Sequence, residues 1–220
     1  MKLNKTQKYI LIILILLFSN IAYGQILKSK EDIKGLRFYN STLKTNPFAM
    51  LIGPIILAAE YRLSYETVLS DNQSFQIGAS YLGKSFYLLL MEKSDPGNFE
   101  FLVRGYRAQL TYKIFLTREE TPEGLYIGPH FSYSYCKFST KYLNNVDDYI
   151  KAVYVNYNAI IGYQFIYNKF AIEAYLGAGY RDNAWIEHYN QVNNTLDEDY
   201  FMIYKGDLKL ILGFNAGFVF

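Results

Sequence analysis

The sequence predicts an all-β protein: an eight-stranded antiparallel up-and-down transmembrane β-barrel. Three observations carry this. Apolar residues recur at every second position through most of the chain, the period of strands with one oily face. The connections between these segments alternate between short and long, as turns and loops do at the two ends of a membrane barrel. Aromatic residues make up 18% of the chain, with 23 Tyr and 16 Phe, against 19% charged residues. That balance excludes disorder and suits a surface that meets lipid at two interfaces.

Composition bounds function as well. The 220 residues carry 22 Lys and Arg against 20 Asp and Glu, without the basic excess of a nucleic-acid-binding surface. One cysteine, Cys136, excludes an intramolecular disulfide framework and a cysteine-caged metal.

Residues 1–24 read as a secretory signal peptide. Lys2, Lys5 and Lys8 precede an apolar run from Tyr9 to Phe18, and Ala22-Tyr23-Gly24 supplies small residues for cleavage before Gln25. The run is shorter than the roughly 20 residues that a membrane helix needs. No cysteine follows it to carry a lipid anchor. Export across an inner membrane is the expectation, with residues 25–40 as a periplasmic lead-in and 41–220 as the barrel.

Seven strands follow from the alternation, at about 55–69, 74–90, 99–116, 124–141, 149–167, 170–187 and 200–220. In the first, Ile55, Leu57, Ala59, Tyr61 and Leu63 alternate with Glu60, Arg62 and Ser64. In the last, Leu208, Leu210, Leu212, Phe214 and Phe218 alternate with Lys209, Gly213, Asn215 and Gly217. Residues 70–73, 117–123 and 168–169 are turn-like, whereas 91–98, 142–148 and 188–199 are longer and polar. A barrel of this class has an even strand count with both ends on the short-turn side. An eighth strand must therefore precede residue 55; residues 41–51 supply it, with Gly53-Pro54 as the turn and Pro47 as a weak point.

Alternation alone does not say which face looks outward. The predicted strands, several of 16 residues or more, exceed the roughly 9–11 that cross a bilayer. Lys44, Glu60, Arg62, Glu66, Arg107, Lys113, Glu173, Arg181 and Lys209 share the polar phase, where opposite charges can pair across a narrow bore. Aromatics crowd the strand ends, among them Tyr135, Tyr149, Tyr180 and Trp185 near the long loops and Phe75, Phe115, Phe165 and Phe220 near the turns. This reads as two girdles at water–lipid boundaries. The apolar face is expected to meet lipid in the outer membrane of a Gram-negative bacterium.

Several segments carry a resemblance. The signal peptide, Leu43-Lys44-Thr45-Asn46-Pro47, Ala59-Glu60-Tyr61, the run from Gly124 to His130 and the terminal Gly213-Phe214-Asn215-Ala216-Gly217-Phe218 resemble an uncharacterised family of small outer-membrane β-barrel proteins. The resemblance covers residues 41–220 and implies eight strands and no assigned catalytic residues. The terminal Phe220, after Phe214 and Phe218, resembles the C-terminal signal recognised by the barrel-assembly machinery.

An eight-stranded bore is just wide enough to be filled by side chains. Glu60, Arg62, Glu66, Arg107, Glu173, Arg181 and Lys209 are expected to form a lumenal ion network, since buried charges must be paired. A narrow pore through that network is one alternative. The other is a hydrolase: His130-Phe131-Ser132 places a His and a Ser on one strand face and is similar to the His-x-Ser pair of the lipid A deacylases. By phase the pair points into the lumen, whereas lipid A would approach from the lipid side, and no carboxylate orients the His. Cys136 reads as a small filler. His188, beside Glu187 and near Asp197, Glu198 and Asp199, reads as part of a solvated loop. No cofactor or metal is expected. The expected partners are outer-membrane lipid, the assembly machinery during biogenesis, and a protein at the outer loops; the expected role is structural or one of surface interaction.

Overall fold

A computed structural model describes residues 40–51, 58–94, 101–116, 121–140, 148–189, 192–196 and 208–220. The expected signal peptide, most of the lead-in, the Gly53-Pro54 turn and parts of the three longer connections lie outside these residues. Among the described residues, strands occur at Ser41–Thr45 (β1), Ala58–Ser70 (β2), Gln73–Lys84 (β3), Phe101–Phe115 (β4), Gly124–Thr140 (β5), Tyr149–Tyr167 (β6), Phe170–Tyr189 (β7), Val192–Thr195 (β8) and Leu208–Val219 (β9), with one helix, Phe86–Ser94 (α1).

Eight of these strands close an antiparallel barrel. Each pairs with its neighbour in sequence from β1 to β7, β7 pairs with β9, and β9 returns to β1 through Thr42↔Val219 to Thr45↔Ala216. At the bottom of that seam, Ser41 and Phe220 exchange both backbone hydrogen bonds, at 3.0 and 2.9 Å. Along β1, closure pairs strand edges that hydrocarbon would otherwise leave without partners. The remaining strand, β8, is a four-residue extension that pairs with β7 alone among the described strands, Ile186↔Thr195 to Tyr189↔Val192.

The apolar phase faces outward. Tyr61, Leu110, Ile161 and Leu212, one from each of four strands, are all exposed, Leu212 to 88%. Glu60, Gln109, Asn158 and Asn215 on the opposite phase of the same or neighbouring strands are buried. An oily exterior around a polar interior inverts the arrangement of a water-soluble barrel and extends well beyond the apolar patches that soluble monomers expose. The protein is a transmembrane barrel. Outward rings pair across strands, with Tyr106 against Tyr135 at 5.2 Å and Phe170 against Phe218 at 4.8 Å. Two of the expected girdle residues belong elsewhere. Trp185 and Phe115 lie on the inward phase and are 5% and 1% exposed, so they fill the bore.

Within residues 188–199, expected as a polar connection, β7 continues to Tyr189 and β8 pairs back on it, and two further elements differ from the sequence expectation in extent. β1 stops at Thr45, short of residue 51, because Asn46-Pro47 turns the chain. Pro47 has no amide to donate to the ladder, and the Asn46 carboxamide accepts the Ala49 amide at 2.9 Å, closing a turn. Residues 85–90, expected to prolong β3, leave the sheet. Phe86 to Met91 is six apolar residues without alternation, and Ser85 caps the helix they form by accepting the Leu88 amide at 3.2 Å.

Candidate functional site: the filled lumen

The inward phase of the strands builds the lumen in layers. Nearest the short turns, two lysines and two glutamates meet. Lys44 on β1 donates to Glu66 on β2, to Glu173 on β7 at 2.9 Å and to Gln164 on β6 at 2.6 Å. Lys113 on β4 reaches the same acceptors, Glu173 at 2.6 Å, Glu66 at 3.1 Å and Gln164 at 3.1 Å. Ser74 and Tyr126 donate to the two carboxylates, and the Asn215 amide reaches Glu173 at 2.9 Å. Two positive and two negative groups, all nearly inaccessible, thus neutralise each other across the bore. That is the condition for keeping charges out of water.

The next layer is centred on Glu60. Its carboxylate accepts Arg62 at 2.7 Å, Arg107 at 3.0 Å, Ser80 at 2.7 Å and Gln109 at 3.0 Å. Arg107 continues to Ser132 at 3.1 Å, Asn156 donates to the same hydroxyl at 3.0 Å, and Lys209 donates to Asn156 at 3.0 Å. Arg62 also donates to the Tyr175 hydroxyl at 3.3 Å. Arg181 sits higher, its guanidinium 5.9 Å from the centre of the Tyr154 ring.

The outer mouth is apolar. Leu88 of α1 drops into a cluster with Leu82, Val103, Cys136, Tyr154 and Trp185, and the Tyr154 and Trp185 rings meet edge to face at 5.7 Å. Between the two charged layers lies a cavity of about 10 Å³, bordered by Gln76, His130, Glu173 and Asn215, room for about one water molecule.

His130 and Ser132 both face this interior and are 5% and 0% exposed. The imidazole Nδ1 shares a 2.8 Å hydrogen bond with Thr111, while the Ser132 hydroxyl is held by Arg107 and Asn156. Residues two apart on a strand stand about 7 Å apart, and no hydrogen bond joins this pair among the described residues. Phe220 is exposed on the outer surface beside the seam it closes. His188 stacks on Tyr149 at 4.9 Å and bonds Asn193 at 2.8 Å, fastening the β7–β8 hairpin.

No family model and no curated protein matches this chain. Among solved structures, it is similar to a major outer membrane protein from Thermus thermophilus, with 12% identity, a TM-score of 0.43, and coverage of 82% of this chain and 98% of that one.

The structure thus brings Glu60, Arg62 and Arg107 together in one layer and Glu66 and Glu173 in another. Lys209 joins the first through Asn156, and Arg181 lies beyond it, over the Tyr154 ring. The centre of the lower layer is Lys44 and Lys113, whose polar phase is visible in the sequence but whose cross-bore partners are not. Tyr126 and Tyr175 are aromatic rings on the polar phase, and their hydroxyls are the readable sign that they can sit among charges.

Proposed function

We propose that the protein is a small outer-membrane barrel of a Gram-negative bacterium whose role is structural or one of surface interaction, carried out at its outer rim. The observation that carries this reading is the pairing of a filled bore with an open rim. Ion pairs, tyrosines and an apolar plug occupy the lumen, and the cavity between the charged layers has room for about one water. Meanwhile β5, β6 and β7, at 17, 19 and 20 residues, run past the roughly 9–11 that span a bilayer. On that raised wall, all four residues of β8 are exposed, and it pairs on one side only among the described strands. An exposed strand edge is a template for adding a partner's strand.

Two measurements test the proposal. Planar-bilayer recording of the purified barrel is expected to show no conductance steps; regular steps would replace this reading with a pore. Deletion of residues 188–199 is expected to leave heat-modifiable folding intact and to abolish any partner cross-linked to the rim. Capture that survives every loop deletion would overturn the surface-interaction role.

A further inference from the structure

Helix α1 carries five large apolar side chains that the described protein does not cover. Phe86, Tyr87, Leu89, Leu90 and Met91 are between 42% and 56% exposed. At about 100° per residue, they occupy most of the circumference. The remaining face is committed to the barrel. Leu88 is 1% exposed in the plug of the outer mouth. Glu92, four residues on and therefore on the same face, accepts Lys84 at the end of β3 at 2.9 and 3.0 Å and the Phe101 amide at the start of β4 at 2.7 Å. The helix is fastened to both strands it connects, so its outward arc cannot be hidden by rolling inward. A helix that is apolar nearly all round belongs in non-aqueous surroundings.

We propose that α1 is an interfacial membrane helix. Its outward arc lies at the boundary of headgroups and acyl chains in the leaflet beside the long connections, and its partner is the lipid acyl chain. The inference rests on the transmembrane reading of the barrel. Continuity selects lipid over a protein partner. The outward positions of β3 are Ile77, Ala79, Tyr81 and Gly83, the last covered by the Tyr61 and Tyr81 rings; Tyr81 stacks on the outward Tyr61 of β2 at 6.4 Å, and Lys84 and Ser85 lead from there into the helix. The apolar arc therefore follows on from the lipid-facing belt at the top of β3, and the two polar residues between them are turned away from it, Lys84 to Glu92 and Ser85 to the Leu88 amide. The charged residue of the outward arc, Lys93, stands in the last turn, where a cation suits both the helix terminus and lipid phosphate. One helix would then serve two purposes: Leu88 seals the bore from above while its neighbours hold the rim in the membrane.

Trp185 is the only tryptophan, which permits a direct test in the full chain. In a Trp185→Phe background, a reporter is placed by Leu90→Trp or, as the control on the barrel wall, by Leu212→Trp. Each is refolded into phosphatidylcholine vesicles brominated near the headgroup or near the acyl terminus. The Leu90→Trp emission is expected to fall at least about twofold in brominated lipid, more with bromine near the headgroup, as for an interfacial helix. Quenching of Leu212→Trp without quenching of Leu90→Trp overturns the inference. Iodide access at Leu90→Trp would then place the helix in water, and protection from both quenchers would place it against a protein or a second copy. If Leu212→Trp is also unquenched, the transmembrane reading itself fails. Should Trp185→Phe prevent folding, a spin label at Leu90→Cys in a Cys136→Ser background reads the same depth through oxygen against aqueous-nickel accessibility, with preference for nickel overturning the proposal.

Discussion

Tyr175 on β7 lies over Gly213, its register partner on β9, so closely that a Cβ on the glycine would overlap the ring. The same device recurs where Tyr126 covers Gly162, its partner on β6, and a Cβ would overlap the phenol oxygen. In a bore this narrow, a ring can lie flat against the wall only where the facing residue lacks a side chain. The ring in turn covers backbone that the glycine leaves bare. Tyr175 is then placed to accept Arg62, so the glycine contributes indirectly to the charged layer.

Gly213→Ala is therefore expected to destabilise the barrel by about 1–3 kcal/mol, the usual cost of an inserted methyl in a packed interior. The ring must tilt, and the Arg62 contact goes with it. Urea unfolding of the vesicle-inserted protein measures the change. An unaltered midpoint would mean that the ring is free to move at no cost.

Among the described residues, Glu60 is the single carboxylate bonded to both Arg62 and Arg107. Glu60→Gln keeps the shape of the side chain and removes the charge, leaving two buried guanidiniums facing a neutral amide. The expected loss is about 3–5 kcal/mol, the cost of breaking a buried pair from one side. Adding Arg107→Met removes one of the stranded cations and should recover part of that loss. If the double variant were less stable than Glu60→Gln alone, the charge balance of this layer would not be its stabilising principle.

His130 is enclosed by Thr111 and the lumenal wall, with Ser132 bonded to other groups. His130→Ala is expected to leave the lipid A profile of producing cells unchanged while lowering the unfolding midpoint, because it opens a hole beside an existing cavity. A changed acylation pattern would show that a buried pair can reach the lipid after all.

Much of the barrel was legible because a strand in a membrane wall has a period of two, and each face has one solvent. Residues 149–167 match β6 to the residue. The phase of Tyr61, Leu110, Ile161 and Leu212 placed them toward lipid, and they are exposed. The departures occur where alternation stops. After Lys84, six consecutive apolar residues carry no period-two signal, and Ser85 starts a helix. After Thr45, Asn46-Pro47 ends β1 early. Trp185 and Phe115 misled because aromatic identity suggested an interface while their phase put them in the bore.

The sequence by itself determined the run of antiparallel strands and the division of each into an oily and a polar face, since turn spacing and alternation are local properties of residue order. Only the tertiary structure decided who meets whom across the lumen. Lys44 and Glu173 are 129 residues apart in the chain and 2.9 Å apart in space, and Gly213 receives Tyr175 rather than another ring. Those pairings depend on strand register and on the curvature that brings β1, β4 and β7 to one axis. Neither is written in the alternation of any single strand.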